Sequence, residues 1–271
     1  MTVRIEKNGP VWTVIHDRPE ARNAMDPASA DALNEAFLAF DADKTAAVAV
    51  FYGAGGAFCA GWDLKFVSTL NAAYPLGEHD IPPAGARGNG GDIPRGPMGP
   101  SRLELDKPVI AAIEGPAVAG GMELALWCDF RVMAADAYLG VYCRRWGVPL
   151  IDGGTVRLPR IVGQGRALEI ILTGRQVPAD ECLRIGLCEY VTATGGTRAK
   201  AEELAADIAR FPQVCARADR RSAIKSHGLA VRDALIQEWY NGREALIKDG
   251  VAGATRFKDG LGRHGDFQKI W

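Results

Sequence analysis

Two apolar runs, each followed by a glycine-rich turn and then by helix-forming residues, constrain the fold of this chain most strongly. The first run covers residues 46–51 and precedes the turn at residues 53–56. The second covers residues 108–113 and leads to the pair Gly120-Gly121, after which residues 122–127 favour helix. Short apolar runs bounded by glycine are typical of buried strands. Two strand–turn–helix units in succession predict an α/β fold built in layers.

The second turn places backbone donors beside a carboxylate. Gly120 and Gly121 fall at the predicted strand-to-helix junction, where the first N–H groups of a helix have no partner inside it. These groups and the positive end of the helix dipole favour a negatively charged guest, and glycine allows close approach. Glu123 follows in the same segment and can move a proton. The alternative is that the small residues serve only tight packing of strand against helix.

The first turn supplies a second donor. Asp63 is predicted to cap a helix that continues through Phe66, which leaves the amide of Trp62 at the mouth of the turn. Two amides from separate turns, those of Trp62 and Gly120, would form a two-armed oxyanion hole. Such a site stabilises an enolate or a tetrahedral oxyanion.

Other patterns fix local structure. Asn8-Gly9 lies between two alternating runs and predicts a hairpin, and Asp26 followed by Pro27 predicts the start of a helix. Residues 71–100 are rich in glycine and proline, which disfavours regular structure. We expect this segment to be either a loop that orders over the site when substrate binds or a surface insertion. The helix predicted to begin at Asp26-Pro27 has an apolar stripe that consists of Leu33, Ala36, Phe37 and Phe40.

Together these segments resemble the crotonase superfamily of enoyl-CoA hydratases and isomerases. The resemblance is carried by FCAGWDLK, by PVIAAIEGPAVAGGMELALWCDFRVMA, by the opening RIEKNGPVWTVIHDRPEARNAMD, and by DGGTVRLPRIVGQGRALEIILTGRQVPADECLRIGLCEYV. It runs from about Val3 to Val191 and is weaker in the C-terminal helices. It implies a crotonase-like ββα spiral core with the acyl-CoA site over residues 1–196, and a C-terminal helical trimerisation region over residues 197–271.

The resemblance also assigns catalytic roles. It implies that a CoA thioester carbonyl lies between the amides of Trp62 and Gly120, and that Glu123 is the main acid/base. Cys143 stands where the hydratases of the family have a second glutamate, and it is interpreted either as an inert packed thiol or as a thiolate nucleophile or acid. Asp152 stands where dienoyl-CoA isomerase-like members have a catalytic aspartate, and the alternative is that it caps the following helix.

The neighbouring residues Arg144 and Arg145 are expected to bind a polar acyl group or to pair with Asp152. The residues that correspond to the CoA groove of the family are Arg22, Ala24, Ala60, Trp62, Asp63, Leu64 and Gly120. Phe257, Lys258 and Arg263 correspond loosely to further CoA-binding positions. We expect no metal and no cofactor beyond the CoA moiety of the substrate.

Composition argues against several classes of protein. A formal net charge of -1 over 271 residues gives no electrostatic case for nucleic acid or an anionic membrane. The first residues lack an apolar signal core, so we expect a cytoplasmic protein. Six cysteines without a C-x-x-C pair predict reduced thiols, and the scattered histidines give no support for a triad hydrolase. A short basic run at residues 217–225 is interpreted as a solvated helix face.

The predicted function is reversible hydration of a 2-enoyl-CoA through a thioester enolate held in the oxyanion hole. The first alternative is an enoyl- or dienoyl-CoA isomerase. The second is an acyl-CoA dehalogenase or hydrolase with Asp152 as the nucleophile, and the third is a CoA- or RNA-binding scaffold. The expected partners are an acyl-CoA thioester and further copies of the chain, as a homotrimer or a dimer of trimers, without nucleic acid or membrane.

Overall fold

The computed structural model describes residues 2–71, 74–82 and 93–262. The chain divides into two compact units, residues 1–206 and 207–271. The division falls inside helix α7 (Thr197–Ala209), whereas the sequence predicts a boundary just before that helix. Ala201 and Ala205 are fully buried, because the first turns of α7 belong to the core of the first unit.

The described strands of the first unit form two sheets. Their bounds are β1 (Val3–Asn8), β2 (Val11–His16), β3 (Val48–Gly53), β4 (Val109–Ile113), β5 (Pro116–Val118), β6 (Phe130–Ala134), β7 (Tyr138–Gly140), β8 (Gln176–Pro178) and β9 (Tyr190–Thr192). Six of them form one sheet in the order β1-β2-β3-β4-β6-β9, which is parallel except for the hairpin of β1 and β2. The predicted hairpin is confirmed, with Gly9 at a φ of 56° in its turn. The second sheet has the order β5-β7-β8.

Helices cover these sheets and continue into the second unit. Their bounds are α1 (Pro27–Ala42), α2 (Leu64–Val67), α3 (Gly120–Trp127), α4 (Gly154–Val162), α5 (Gln164–Thr173), α6 (Ala179–Arg184), α8 (Gln213–Lys225), α9 (Val231–Ala245) and α10 (Val251–Lys258). Helix α1 begins as predicted, because an Asp26 carboxylate oxygen accepts the Ser29 N–H at 2.8 Å. All four residues of its predicted apolar stripe are buried. The mixed α/β class expected from the sequence is therefore confirmed.

An aromatic cluster joins α1, β3 and α3. Phe37 packs edge-on against Phe51 and Trp127, with ring centroids 5.3 and 4.9 Å apart, and Phe51 packs against Phe58 at 5.0 Å. Such pairs contribute about 0.5–1.5 kcal/mol each beyond the burial of their area. The cluster fixes the strand and helix that flank both glycine-rich turns.

The chain between β4 and α3 differs from the simple junction expected from the sequence. Instead of one turn, Gly115 adopts a positive φ of 58° and the short strand β5 follows before the helix begins at Gly120. The reason is a second pairing: Cys59 forms an isolated parallel bridge with Ala117, and its carbonyl accepts the Val118 N–H at 3.0 Å. This bridge brings the two glycine-rich turns side by side.

The described residues of the second unit form α8, α9, α10 and a π-helical turn at Leu246–Gly250. Asn241 of α9 donates to the Ala218 carbonyl and the Ser222 hydroxyl of α8 at 2.6 and 2.7 Å, which locks the two helices together. Phe257 and Lys258 lie at the end of α10, and Arg263 lies outside the described residues. Across the part of the chain that the structure describes, no helix has the length and apolar character needed to cross a membrane.

Candidate active site

The amide of Trp62 is turned away from its neighbours in the fold. Met25 bonds to the residues on either side of Trp62: its N–H donates to the Gly61 carbonyl at 2.7 Å, and its carbonyl accepts the Asp63 N–H at 2.8 Å. In an extended segment successive N–H groups point to opposite sides, so the Trp62 N–H faces away from Met25. Within the described ranges it has no acceptor, and Trp62 lines a cavity.

The amide of Gly120 borders the same cavity. It is the first N–H of α3 and therefore has no partner inside the helix, nor one elsewhere among the described residues. A side chain on Gly61 would have its Cβ 3.1 Å from the Gly120 nitrogen, so the two turns are in contact. Two unpaired amide donors from separate turns thus belong to residues that line the same cavity.

Backbone strain and close packing hold the start of α3. Ala119 has a φ of 55°, which is rare for a residue with a Cβ, and its N–H donates to the Gly140 carbonyl at 2.8 Å. A Cβ on Gly121 would overlap the Cys59 carbonyl oxygen, and one on Gly120 would overlap the side chain of Met98. Gly121 is therefore required for the approach of the Cys59 backbone, and Gly120 leaves room for the side chain of Met98.

Glu123 lies on α3 with its carboxyl almost fully buried. Its Oε1 accepts two backbone N–H groups, from Asp152 at 2.9 Å and from Gly154 at 2.8 Å. Its Oε2 has no hydrogen bond among the described residues, and Glu123 lines the cavity. Burial, followed by the negative charge of Asp152, raises the pKa of Glu123 to about 7. The group therefore exchanges a proton in the neutral range.

Asp152 presents a second carboxyl to the cavity with a similar arrangement. Its Oδ1 accepts the Ser101 hydroxyl at 2.5 Å and the Met98 N–H at 3.1 Å, whereas Oδ2 has no partner within the described chain. Burial raises the pKa of Asp152, and the two hydrogen bonds oppose that rise. The alternative that Asp152 caps α4 is wrong, because Gly153 is the N-cap and no side chain caps this helix.

A different arginine from those expected lies beside Asp152. Arg157 donates to the Asp152 carbonyl at 3.0 Å and to the Ser101 carbonyl at 2.7 Å. Arg144 instead donates to the Ile171 carbonyl, and Arg145 stacks on the Tyr142 ring at 3.9 Å. Neither pairs with Asp152 among the described residues. Both belong to the short helical turn Tyr142–Trp146, and their contacts with Ile171 and Tyr142 take the place of the expected ion pair.

Cys143 also lines the cavity and is buried. Burial and then the negative charge of Glu123 raise the pKa of its thiol. A thiolate nucleophile needs a lowered pKa and a positive environment, so the geometry favours the inert thiol. All six cysteines of the chain are free thiols in the structure.

The remaining wall of the cavity is apolar. The space encloses about 490 Å³, its open mouth included. Its apolar and aromatic lining residues are Ala60, Trp62, Leu64, Met98, Ala119, Tyr142, Trp146, Val148, Pro149 and Ile151. Ala60 and Leu64 of the predicted CoA groove therefore border the same space as the two carboxyls.

The other predicted groove residues lie next to this wall but do not line it. Asp63 caps α2 as predicted, accepting the Lys65 N–H at 2.9 Å, and pairs with Arg18 at 2.8 Å. Although partial burial opposes it, the Arg18 guanidinium lowers the pKa of Asp63. Arg22 and Ala24 belong to the preceding loop, where the Arg22 carbonyl accepts the Ala60 N–H at 3.0 Å. The Arg22 side chain is exposed.

Sequence reasoning misses Ser101, Met98 and Arg157. Ser101 and Met98 lie at or beyond the end of the glycine- and proline-rich segment, 51 and 54 positions from Asp152, and no local pattern marks the contact. Of that segment, residues 72–73 and 83–92 lie outside the described residues, so ordering on substrate binding stays a prediction. No cluster of three or more potential metal ligands occurs among the residues that were described.

Comparisons with known proteins show the family of the chain. The family profile described as enoyl-CoA hydratase/isomerase matches residues 6–76 and 101–241. A carnitinyl-CoA dehydratase from Salmonella typhi is 36% identical over 255 residues, which cover 92% of this chain and 87% of that protein.

Solved structures give the same result. A crystal structure of an enoyl-CoA hydratase from Mycobacterium tuberculosis has a TM-score of 0.84 at 29% identity and covers 95% of this chain and 96% of that one. One from Bacillus anthracis has a TM-score of 0.83 at 29% identity, with 96% of both chains covered. The chain therefore belongs to the enoyl-CoA hydratase/isomerase family of the crotonase superfamily. It is an acyl-CoA enzyme of the hydratase type, in the lyase and isomerase class.

Proposed function

We propose that the protein catalyses reversible hydration of a 2-enoyl-CoA. One observation carries the proposal: two buried carboxyls, each with one oxygen held by two protein donors and the other oxygen free, share a cavity with two unpaired backbone amides. The amides suit a thioester oxygen that becomes negatively charged. The carboxyls suit the removal and return of protons. Relatives named dehydratases fit the same chemistry, because dehydration is the reverse of hydration.

The amides of Trp62 and Gly120 are assigned to the thioester carbonyl. When water adds to the β-carbon, electrons move through the α-carbon to that oxygen and form an enolate. Donors already fixed by the Met25 bridge and by the start of α3 require no rearrangement at that moment. Loss of one such donor costs about 3–4 kcal/mol in other enzymes.

The asymmetry between the carboxyls assigns their roles. The pKa of Glu123 is raised by burial and by the charge of Asp152, so Glu123 holds the proton of the pair. Burial also raises the pKa of Asp152, but Ser101, Met98 and the nearby Arg102 act against it. Asp152 is therefore assigned as the base that takes a proton from water, and Glu123 as the acid.

These roles balance the reaction. Asp152 takes one proton of the water while the oxygen of that water bonds to the β-carbon. Glu123 gives its proton to the α-carbon as the enolate collapses to the thioester. One water has then been added across the double bond. The enzyme ends with the proton on Asp152 instead of Glu123, and exchange with solvent restores the starting state.

Double-bond migration is a second candidate, favoured by one observation. Cys143, a neutral thiol, occupies the cavity where a second glutamate is expected, and Asp152 supplies the other carboxyl. A base and an acid in this arrangement can move a proton from one carbon of the acyl chain to another without water. In that reaction Asp152 removes the proton and Glu123 returns one.

The CoA moiety and the oligomer belong to the same proposal. The exposed Arg22 guanidinium suits a phosphate of CoA, and the Arg22 carbonyl accepts the N–H of Ala60, which lines the cavity together with Leu64. No cofactor beyond CoA is required for these steps. Helix α9 exposes Val231, Leu235, Ile236, Trp239 and Tyr240. Such an apolar face supports assembly into a homotrimer or a dimer of trimers, which light scattering of the purified protein would measure.

Product analysis in deuterium oxide tests the reaction type. Purified enzyme is incubated with a panel of 2-enoyl-CoA esters and with carnitinyl-CoA, and the products are separated by chromatography and identified by mass and by NMR. We expect a 3-hydroxyacyl-CoA with one deuterium at the α-carbon. A product of unchanged skeleton with a moved double bond would select isomerisation instead. Incubation in ¹⁸O water that labels the Asp152 carboxyl would select a covalent hydrolase or dehalogenase.

A further inference from the structure

Asp152 is held by a chain segment that follows the glycine- and proline-rich stretch and whose residues have no direct role in the proposed reaction. Ser101 is 1% exposed and lies in a short helical turn, Pro100–Arg102, that follows the glycine- and proline-rich segment. Its hydroxyl donates to Oδ1 of Asp152 at 2.5 Å, and the Met98 N–H donates to the same oxygen at 3.1 Å. The segment therefore contacts one oxygen of the carboxyl only.

Two neighbouring residues, Arg157 and Gly96, fix the contact between Ser101 and Asp152. Arg157, itself mostly buried, donates to the carbonyls of Ser101 and Asp152 and thereby clamps the two segments together. Gly96 leaves the space for the pair, since a Cβ there would overlap both the Ser101 hydroxyl and Oδ1 of Asp152. Neither the hydroxyl nor the carboxyl can turn without breaking this arrangement.

We propose that Ser101 is a positioning residue for Asp152: it occupies Oδ1 together with the Met98 amide, so that Oδ2 alone faces the acyl group. Ser101 does not line the cavity and so does not contact substrate. It acts through the orientation of the carboxyl and through its donated hydrogen bond, which favours the ionised form. This inference rests on the proposed role of Asp152 as the base.

The charged groups that bear on Asp152 are Glu123 on α3, Arg157 on α4, Arg102 beside Ser101, and His79 in the turn Leu76–His79. The Ser101 substitution leaves all of them in place. A change in the pH profile of such a variant therefore reports the hydroxyl itself. Since a hydrogen bond to a charged group is worth about 1.5–3 kcal/mol, its loss corresponds to about one to two pH units.

The test compares Ser101→Ala with Ser29→Ala in wild-type and Asp152→Asn backgrounds. Ser29 is a matched control, because its hydroxyl is buried and has no partner among the described residues. We expect Ser101→Ala to lower kcat about 10- to 100-fold at neutral pH with KM within about twofold, and to move the acidic limb of the kcat profile upward by about one to two units. Ser29→Ala leaves kcat and its pH profile unchanged.

The Asp152→Asn background shows whether Ser101 acts through Asp152. If Ser101 acts through Asp152, Ser101→Ala causes no further loss in the Asp152→Asn variant. An equal loss of kcat from Ser101→Ala in the wild-type and Asp152→Asn backgrounds overturns the inference, and so does a pH profile of kcat that does not move. Ser101→Cys keeps a weak donor and should fall between Ser101→Ala and wild type, which separates the effect from misfolding. Should Asp152→Asn itself match wild type, the proposed function fails before the role of Ser101 is reached.

Discussion

Glutamine at position 123 is expected to stabilise the protein at neutral and alkaline pH. Glu123 is 2% exposed, and its Oε1 accepts N–H groups from Asp152 and Gly154. The amide oxygen of glutamine can accept the same two bonds, and its shape matches the protonated carboxyl. Glu123→Gln therefore removes a buried charge while it preserves the packing and the hydrogen bonds of the site.

The magnitude follows from the pKa. Burial and the charge of Asp152 raise the pKa of Glu123 from the ordinary 4.5 to about 7. The folded state thus holds this proton more tightly than the unfolded chain by about 3 kcal/mol. Below the unfolded pKa of about 4.5 the group is protonated in both states and costs nothing. As pH rises to about 7 the unfolded chain ionises first, so the wild type loses stability until the full penalty is reached.

Urea unfolding of wild type, Glu123→Gln and Glu35→Gln measures this difference. Glu35 is exposed on α1 and serves as a control for the same substitution outside the site. We expect Glu123→Gln to exceed wild type by only a few tenths of a kcal/mol at about pH 4.5 and by about 3 kcal/mol at about pH 8.5, with no such trend for Glu35→Gln. A wild type that is the more stable protein at high pH, or a stability difference that does not change with pH, would show that ionised Glu123 does not destabilise the fold.

Three further substitutions test separate parts of the site. Gly121→Ala should prevent correct folding, because a Cβ there overlaps the Cys59 carbonyl oxygen; a wild-type melting temperature would contradict this. Cys143→Ala should keep kcat within about threefold, since a neutral buried thiol does not react, and a loss beyond about 100-fold would assign the thiol a catalytic role. Trp62→Ala keeps its backbone donor, so kcat/KM for a short enoyl-CoA should stay within about tenfold while bulkier acyl groups gain. A uniform loss across acyl chains would show that the indole is needed for the oxyanion hole.

The sequence predicts those features that depend on local rules. Asp26 and Asp63 cap their helices, and Asn8-Gly9 turns the first hairpin, because each depends on a few neighbouring residues. The unpaired amides of Trp62 and Gly120 are local features as well, because each lies within two residues of the start of a helix.

The sequence does not predict the contacts between residues that are far apart in the chain. Strand β5 has three residues and is stabilised by the bridge between Ala117 and Cys59. No periodicity in the sequence predicts this bridge. The partners of Asp152 lie about fifty positions away in a segment without a regular pattern. The raised pKa of Glu123 depends on burial and on a carboxyl 29 positions further along, so only the folded chain produces it.

Glu123 and Asp152 are proposed to act as one acid/base pair, and a four-way comparison of kcat tests that pairing. Wild type, Glu123→Gln, Asp152→Asn and the double variant are assayed on the best 2-enoyl-CoA of the panel. We predict that each single variant loses about 10²- to 10⁴-fold in kcat and that the double variant loses little more than either. A single variant with the wild-type rate, or losses that multiply in the double variant, would contradict the shared role of the two carboxyls.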